Sequence, residues 1–136
     1  MAKRPTLPVM VAAVLEKSRE GMREMLIVRL GPDEFHPDRW AFPFGPAEPG
    51  EMPEPAVRRI LEEQLDIRPH IQHGQPPFDH VYAGEMRRWR FLFGELSDPR
   101  LKTSHYSEVR WVPRPSLREY EFEPVSQQVV DWMLEQ

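Results

Sequence analysis

The chain contains no cysteine, which excludes disulfides and thiolate metal sites at once. It also lacks an apolar run approaching the roughly 20 residues that span a bilayer, so no membrane partner is expected. Its start, MAKRPTLP, carries basic residues but no apolar core of a secretory signal, and the cytoplasm is the expected location. Basic excess is missing too: the formal net charge is -4, whereas a dedicated binder of nucleic-acid backbones shows a strong positive balance. Nucleic acid is therefore a disfavoured partner. No internal repeat, low-complexity segment or interdomain linker interrupts the sequence, and 136 residues suit one domain, 1–136, able to bury a core. Proline, by contrast, is abundant, with 16 residues spread largely through loops, where it lowers the entropy of the unfolded chain.

Pro8 to Leu15 is a nearly continuous apolar run and reads as a buried strand. Lys17 to Arg23, with Gly21, reads as a turn into a second strand, Met25 to Leu30. Gly31 to Arg39 is a loop by its glycine, proline and aspartate content, and Trp40 to Phe44 is short, aromatic and extended. Pro53 to Leu65 is the best helix candidate: Val57, Ile60, Leu61 and Leu65 form a stripe at helical spacing, and Pro53 suits a first turn whose N–H groups have no intrahelical partner. Arg68 and Pro69 mark the exit. Phe78 to Tyr82 and Arg88 to Leu96 read as strands joined across Ala83-Gly84-Glu85, Glu108 to Val112 as another strand, and Pro124 to Leu134 as a closing helix. Strands interrupted by one helix and closed by another predict an α/β (α+β) fold, a mixed β-sheet sandwiched by helices.

The stretch from Trp40 to Ile67 carries the chemistry. Gly45, Glu51, Arg59, Leu61, Glu63 and Ile67 fall in register with G-x5-E-x7-R-E-U-x-E-E-x-G-U, where U is a bulky aliphatic residue. Trp40-Ala-Phe-Pro-Phe-Gly45, Glu48-Pro49-Gly50-Glu51, His80-x-Tyr82 and Glu108-x-x-Trp111-Val112 extend the likeness in order along nearly the whole chain. On these residues the sequence resembles the Nudix family of the MutT type. The resemblance implies an α/β/α sandwich and hydrolysis of a nucleoside diphosphate linked to another moiety. It also implies a magnesium or manganese ion, which neutralises phosphoryl charge and activates water. It makes Glu63 a metal ligand, gives the Gly45 carbonyl a place in the metal shell, and has Arg59 orient the glutamates with Glu51 in support.

Three positions depart from the pattern: Ile60, Gln64 and Asp66 stand where it has Glu, Glu and Gly. At about 100° per residue, positions 60, 63 and 64 share one helical arc, and Glu62 points about 160° from position 64 and offers no replacement. Only Glu63 remains there as an anion, with Gln64 able to offer a neutral oxygen. Weak or lost hydrolysis is the expectation, with magnesium or manganese needed only if activity survives. The alternative is a non-catalytic module binding a nucleotide or a protein. Glu48, Glu51, Glu54 and Glu108 are the carboxylates from which a metal site could be rebuilt.

The expected ligand is a nucleotide-like small molecule, and a homodimer is left open. Arg29, Phe42, Phe44 and Tyr82 are the substrate-binding candidates. Core packing of the aromatics and a surface ion pair for Arg29 are the plainer readings. His70 and His73 lack a third metal ligand, and the cluster Arg87, Arg88, Arg90 around Trp89 reads as a half-solvated strand. Asp66 is expected to take a left-handed conformation at the helix end, less easily than glycine.

Overall fold

The computed structural model describes residues 7–19, 21–98 and 100–136. The basic residues of the N-terminal segment examined for a targeting signal lie outside them. The described residues fold as eight strands and two helices. They are β1 (Val9–Arg19), β2 (Met22–Arg29), β3 (Trp40–Ala41), β4 (Phe44–Pro46), α1 (Pro53–Leu65), β5 (His70–Gly74), β6 (Phe78–Tyr82), β7 (Glu85–Glu95), β8 (Glu108–Pro113) and α2 (Pro124–Leu134). A 3-10 turn over Arg114–Glu119 precedes α2.

The strands make one mixed sheet. β1 and β7 run parallel at its centre, from Val9 opposite Arg88 to Glu16 opposite Glu95. The remaining pairs are antiparallel: β1 with β2 and β4, β2 with β3 and β8, and β7 with β5 and β6. Side chains alternate across such a sheet, and the alternation assigns the helices to faces. Gly45, opposite Val11, presents its α-carbon to Ile60 of α1. Residues of the other parity, Phe44, Trp89, Phe91 and Phe93, form an aromatic row that ends on Trp132 of α2, with Phe93 and Trp132 ring centres 6.3 Å apart. The helices thus cover opposite faces, and the α/β/α sandwich is the observed architecture.

Both helices have the predicted bounds, because each carries a buried stripe: Ala56, Val57, Ile60, Leu61 and Leu65 in α1, and Val125, Val129, Val130 and Met133 in α2. Asp66 closes α1 at φ 55°, ψ 42°, as its short polar side chain permits. The strands differ more from expectation. β1 and β2 continue past their apolar cores and pair from Glu16–Met25 to Arg19–Met22, so most of Lys17 to Arg23 is hairpin rather than turn. β7 begins at Glu85, since Ala83 and Gly84 alone make the turn, both with positive φ; a two-residue loop of that geometry matches the twist of its strands. β5 was not anticipated. Among its five residues only Ile71 is buried, which leaves no alternation to read.

No helix among the described residues is long and apolar enough to cross a membrane. Of the glycines, Gly94 on β7 is the most tightly enclosed: an added Cβ would sit 2.5 Å from the carbonyl oxygen of His70. Backbone cannot yield as a side chain can. Gly94→Ala is expected to cost about 1–3 kcal/mol in urea denaturation; an unchanged midpoint would rule out the β5–β7 pairing.

Candidate functional site

The loop from Pro46 to Met52 leads into α1 and is held by Arg59, one turn and a half inside the helix. The Arg59 guanidinium meets the Glu51 carboxylate through two hydrogen bonds, Nε to Oε2 at 3.0 Å and Nη2 to Oε1 at 2.9 Å. It also donates to the Pro46 carbonyl at 3.2 Å and to Glu63 at 3.4 Å. Glu51 accepts a further bond from the backbone N–H of Glu48. These donors, Arg59 foremost, hold the Glu51 carboxyl down at about 2, and the same carboxylate raises Arg59. Glu51, Arg59 and Glu63 are therefore brought together, with Glu63 largely exposed on the helix surface.

The two substituted positions are both occupied by structure. Ile60 is 3% exposed and lies directly on Gly45: a Cβ there would be 3.0 Å from Ile60 Cδ1. The absent side chain at 45 thus makes room for a hydrocarbon where the pattern has a carboxylate. Gln64 closes a hydrogen-bonded ring. The backbone N–H of Phe44 donates to Tyr106 Oη at 3.2 Å, Tyr106 Oη donates to Gln64 Oε1 at 2.6 Å, and Gln64 Nε2 donates to the Phe44 carbonyl at 3.0 Å. Reversing the amide would face two oxygens at that last contact, so the ring fixes its orientation. Burial pushes the Tyr106 phenol up, which keeps it a donor. His105 Nε2 lies 3.4 Å from Gln64 Nε2 and 3.8 Å from Glu34 Oε1.

A hard cation needs several oxygen donors facing one point. Here the helix arc offers a hydrocarbon, one exposed carboxylate and an amide whose oxygen already takes a short hydrogen bond. Among the described residues no group of three His, Cys, Asp or Glu side chains could hold a metal ion. The donor set does not fit magnesium in the pattern's manner. Of the other carboxylates, Glu62 pairs with Arg68 and Glu54 with Arg58. Glu108 is taken by Arg110, at 2.5 Å, and by Arg29, at 3.6 Å.

Arg29 also donates to the Asp38 carbonyl, so it sits in a surface network with Glu108 rather than beside Glu63. Phe42 needs correction as a pocket residue. It is 0% exposed, ringed by Phe91 and Phe122, and its N–H donates to Ser126 at the start of α2. Phe44 and Tyr82 are also buried but stand together, ring centres 5.5 Å apart, both against Trp89. Tyr82 in turn receives Phe35 edge-on at 5.4 Å and the Arg87 guanidinium at 5.4 Å. Burial, then Glu34, pushes the Tyr82 phenol up to about 12. Sequence reasoning missed Tyr106, His105, Glu34 and Phe35. They lie in loops without periodicity, and the partner of Tyr106 is 42 positions away.

The sequence matches the model of the NUDIX domain over residues 6–133. No curated protein matches it in sequence. Among solved structures it is similar to a Nudix hydrolase from M. smegmatis, RenU, at 16% identity and TM-score 0.83, covering 98% of this chain and 88% of that one. It is similar to the NUDIX domain of Shewanella oneidensis NrtR complexed with ADP ribose, at 19% identity and TM-score 0.79, covering 98% and 89%. A C. elegans Ap4A hydrolase in a binary complex shares 17% identity at TM-score 0.78, covering 92% and 93%.

Two outcomes follow from this geometry. In the native chain Glu51 titrates below its ordinary 4.5. Its stabilising contribution is therefore present above that value and is lost as pH falls towards 2. Arg59→Ala should flatten that acid limb in a pH series of thermal melts. Gln64→Glu puts a carboxylate oxygen against the Phe44 carbonyl, leaving an unsatisfied pair worth about 1–3 kcal/mol at neutral pH. The cost arises only for the charged form, so it should vanish below about pH 4; a variant as stable as the parent at pH 7 would refute the ring.

Proposed function

Because the chain belongs to the Nudix family, we propose that it binds a nucleotide-like small molecule on a Nudix scaffold whose metal-dependent hydrolysis is weak or lost. One observation carries this reading. Both positions that lack the family's helix carboxylates are filled by structure, Ile60 packed on Gly45 and Gln64 closed into the ring with Tyr106 and Phe44. An unused position would be a gap that another donor could fill. These two are engaged, and a metal would have to displace them.

The competing reading is a hydrolase with a rebuilt metal site. It would draw on Glu48, Glu51 or Glu108 beside Glu63. Glu51 is held on both oxygens by Arg59, and Glu108 by Arg110 and Arg29. Glu51 and Glu108 would each have to leave a cation to reach a metal. The nucleotide-like ligand is supported by the scaffold and by the names of similar structures, one a complex with ADP ribose and another an Ap4A hydrolase. A cytoplasmic location, a choice between magnesium and manganese should activity survive, and a homodimer belong to the same proposal.

The test uses nucleoside triphosphates, ADP-ribose, nucleotide sugars and dinucleoside polyphosphates with magnesium or manganese, reading turnover and thermal shift together. A ligand that binds the native state raises its apparent stability without catalysis. Shifts without turnover are expected from the native chain. Ile60→Glu with Gln64→Glu should create or raise magnesium-dependent hydrolysis in the same panel. Efficient hydrolysis by the native chain, unaffected by Glu63→Ala, would remove Glu63 from the site altogether.

A further inference from the structure

The loop joining β2 to β3 takes left-handed backbone at two residues whose side chains tolerate it. His36 and Asp38, neither of them glycine, both adopt left-handed backbone, at φ 61° and 65°. Such conformations persist where the surroundings hold them. Here they are held by Asp38 N–H on the Leu30 carbonyl, Arg39 N–H on the His36 carbonyl and Arg29 Nε on the Asp38 carbonyl.

Phe35 turns to the aromatic row. Its ring stands edge-on to Tyr82, which leans on Phe44 and Trp89, yet 47% of Phe35 stays exposed. Phe35 also meets the His36 ring at 4.5 Å, and the part of its ring left in water offers a stacking surface. Glu34 precedes it in the chain. It lines a cavity of about 270 Å³ between this loop and Ser104–Ser107, with Asp33 and His105 also in its wall. Tyr106 lines the same cavity, and Phe35, which meets Tyr82, follows Glu34 directly in the chain, so the cavity and the exposed ring are neighbours. Asp33 and Glu34 put two carboxylates in the cavity wall, with His105 3.8 Å from Glu34 and the Ser107 hydroxyl donating to the Arg29 carbonyl. Carboxylates there can accept hydrogen bonds from hydroxyl groups.

We infer that this loop is the seat of the nucleoside end of the ligand: Phe35 stacks on a planar heterocycle and Glu34 accepts hydrogen bonds from the sugar hydroxyls. Stacking of a base on an aromatic side chain tolerates any base, since each has a π-face, and carboxylate recognition of a ribose diol is ordinary hydrogen-bond chemistry. The bland alternative is a lone exposed apolar residue of the kind many surfaces carry. This inference rests on the nucleotide-like reading above and adds to it which residues take the uncharged half.

Adenosine, deoxyadenosine and ADP-ribose are titrated calorimetrically against the full chain and against Phe35→Ala, Phe35→Trp and Glu34→Gln, with folding checked by circular dichroism. Phe35→Ala should weaken adenosine and ADP-ribose at least tenfold while Phe35→Trp retains them. Glu34→Gln should weaken adenosine severalfold more than deoxyadenosine. If native chain binds these ligands and Phe35→Ala binds them equally, the loop assignment is overturned and the nucleotide reading stands. If the native chain binds none of them, both are overturned.

Discussion

The contact of Ile60 with Gly45 seats α1 on the sheet, and the arrangement of the site depends on it. Gly45 lies in β4, held against β1 on one side, and its missing side chain lets a buried hydrocarbon descend onto the backbone. Burying a side chain of this size contributes about 1.5–3 kcal/mol. A carboxylate there would need a cation or a hydrogen-bond donor to offset desolvation. Once Ile60 sets the depth of the helix, Gln64 one turn on reaches the Phe44 carbonyl, and Tyr106 closes the ring. The loop that precedes β8 is thereby fixed to the helix without a metal.

The retained half of the motif has a use that does not depend on chemistry. Arg59 holds the entry loop through Glu51 and the Pro46 carbonyl. α1 has no side-chain cap at Met52, and this ion pair supplies the anchoring that a capping side chain would give. Glu51 and Arg59 in register are thus consistent with a Nudix scaffold whether or not it turns anything over. Position 63 differs, because an exposed carboxylate loosely held at 3.4 Å contributes little to stability.

The elements with a strong period were readable from sequence. The stripes of α1 and α2 returned both helices, and angular arithmetic foresaw that Glu62 faces away, where it meets Arg68. Asp66 took the left-handed turn its position required. β5 was hidden because its one buried residue makes no pattern, and the hairpin of β1 and β2 was truncated because its distal residues are charged. Gln64 showed in sequence only as a lost acid. Its role needs Tyr106 and the Phe44 backbone, and neither pairing leaves a local signal. Phe42 was misplaced for a related reason: an aromatic in a short strand reads alike whether it faces a pocket or, as here, the core against Phe122.

The proposed function rests on Ile60 and Gln64 serving packing and hydrogen bonding where the family pattern has metal-binding carboxylates. Calorimetric titration of the native chain with magnesium, without nucleotide, addresses it most directly. The account predicts no saturable binding. Stoichiometric binding to the native chain that disappears in Glu63→Ala would contradict it.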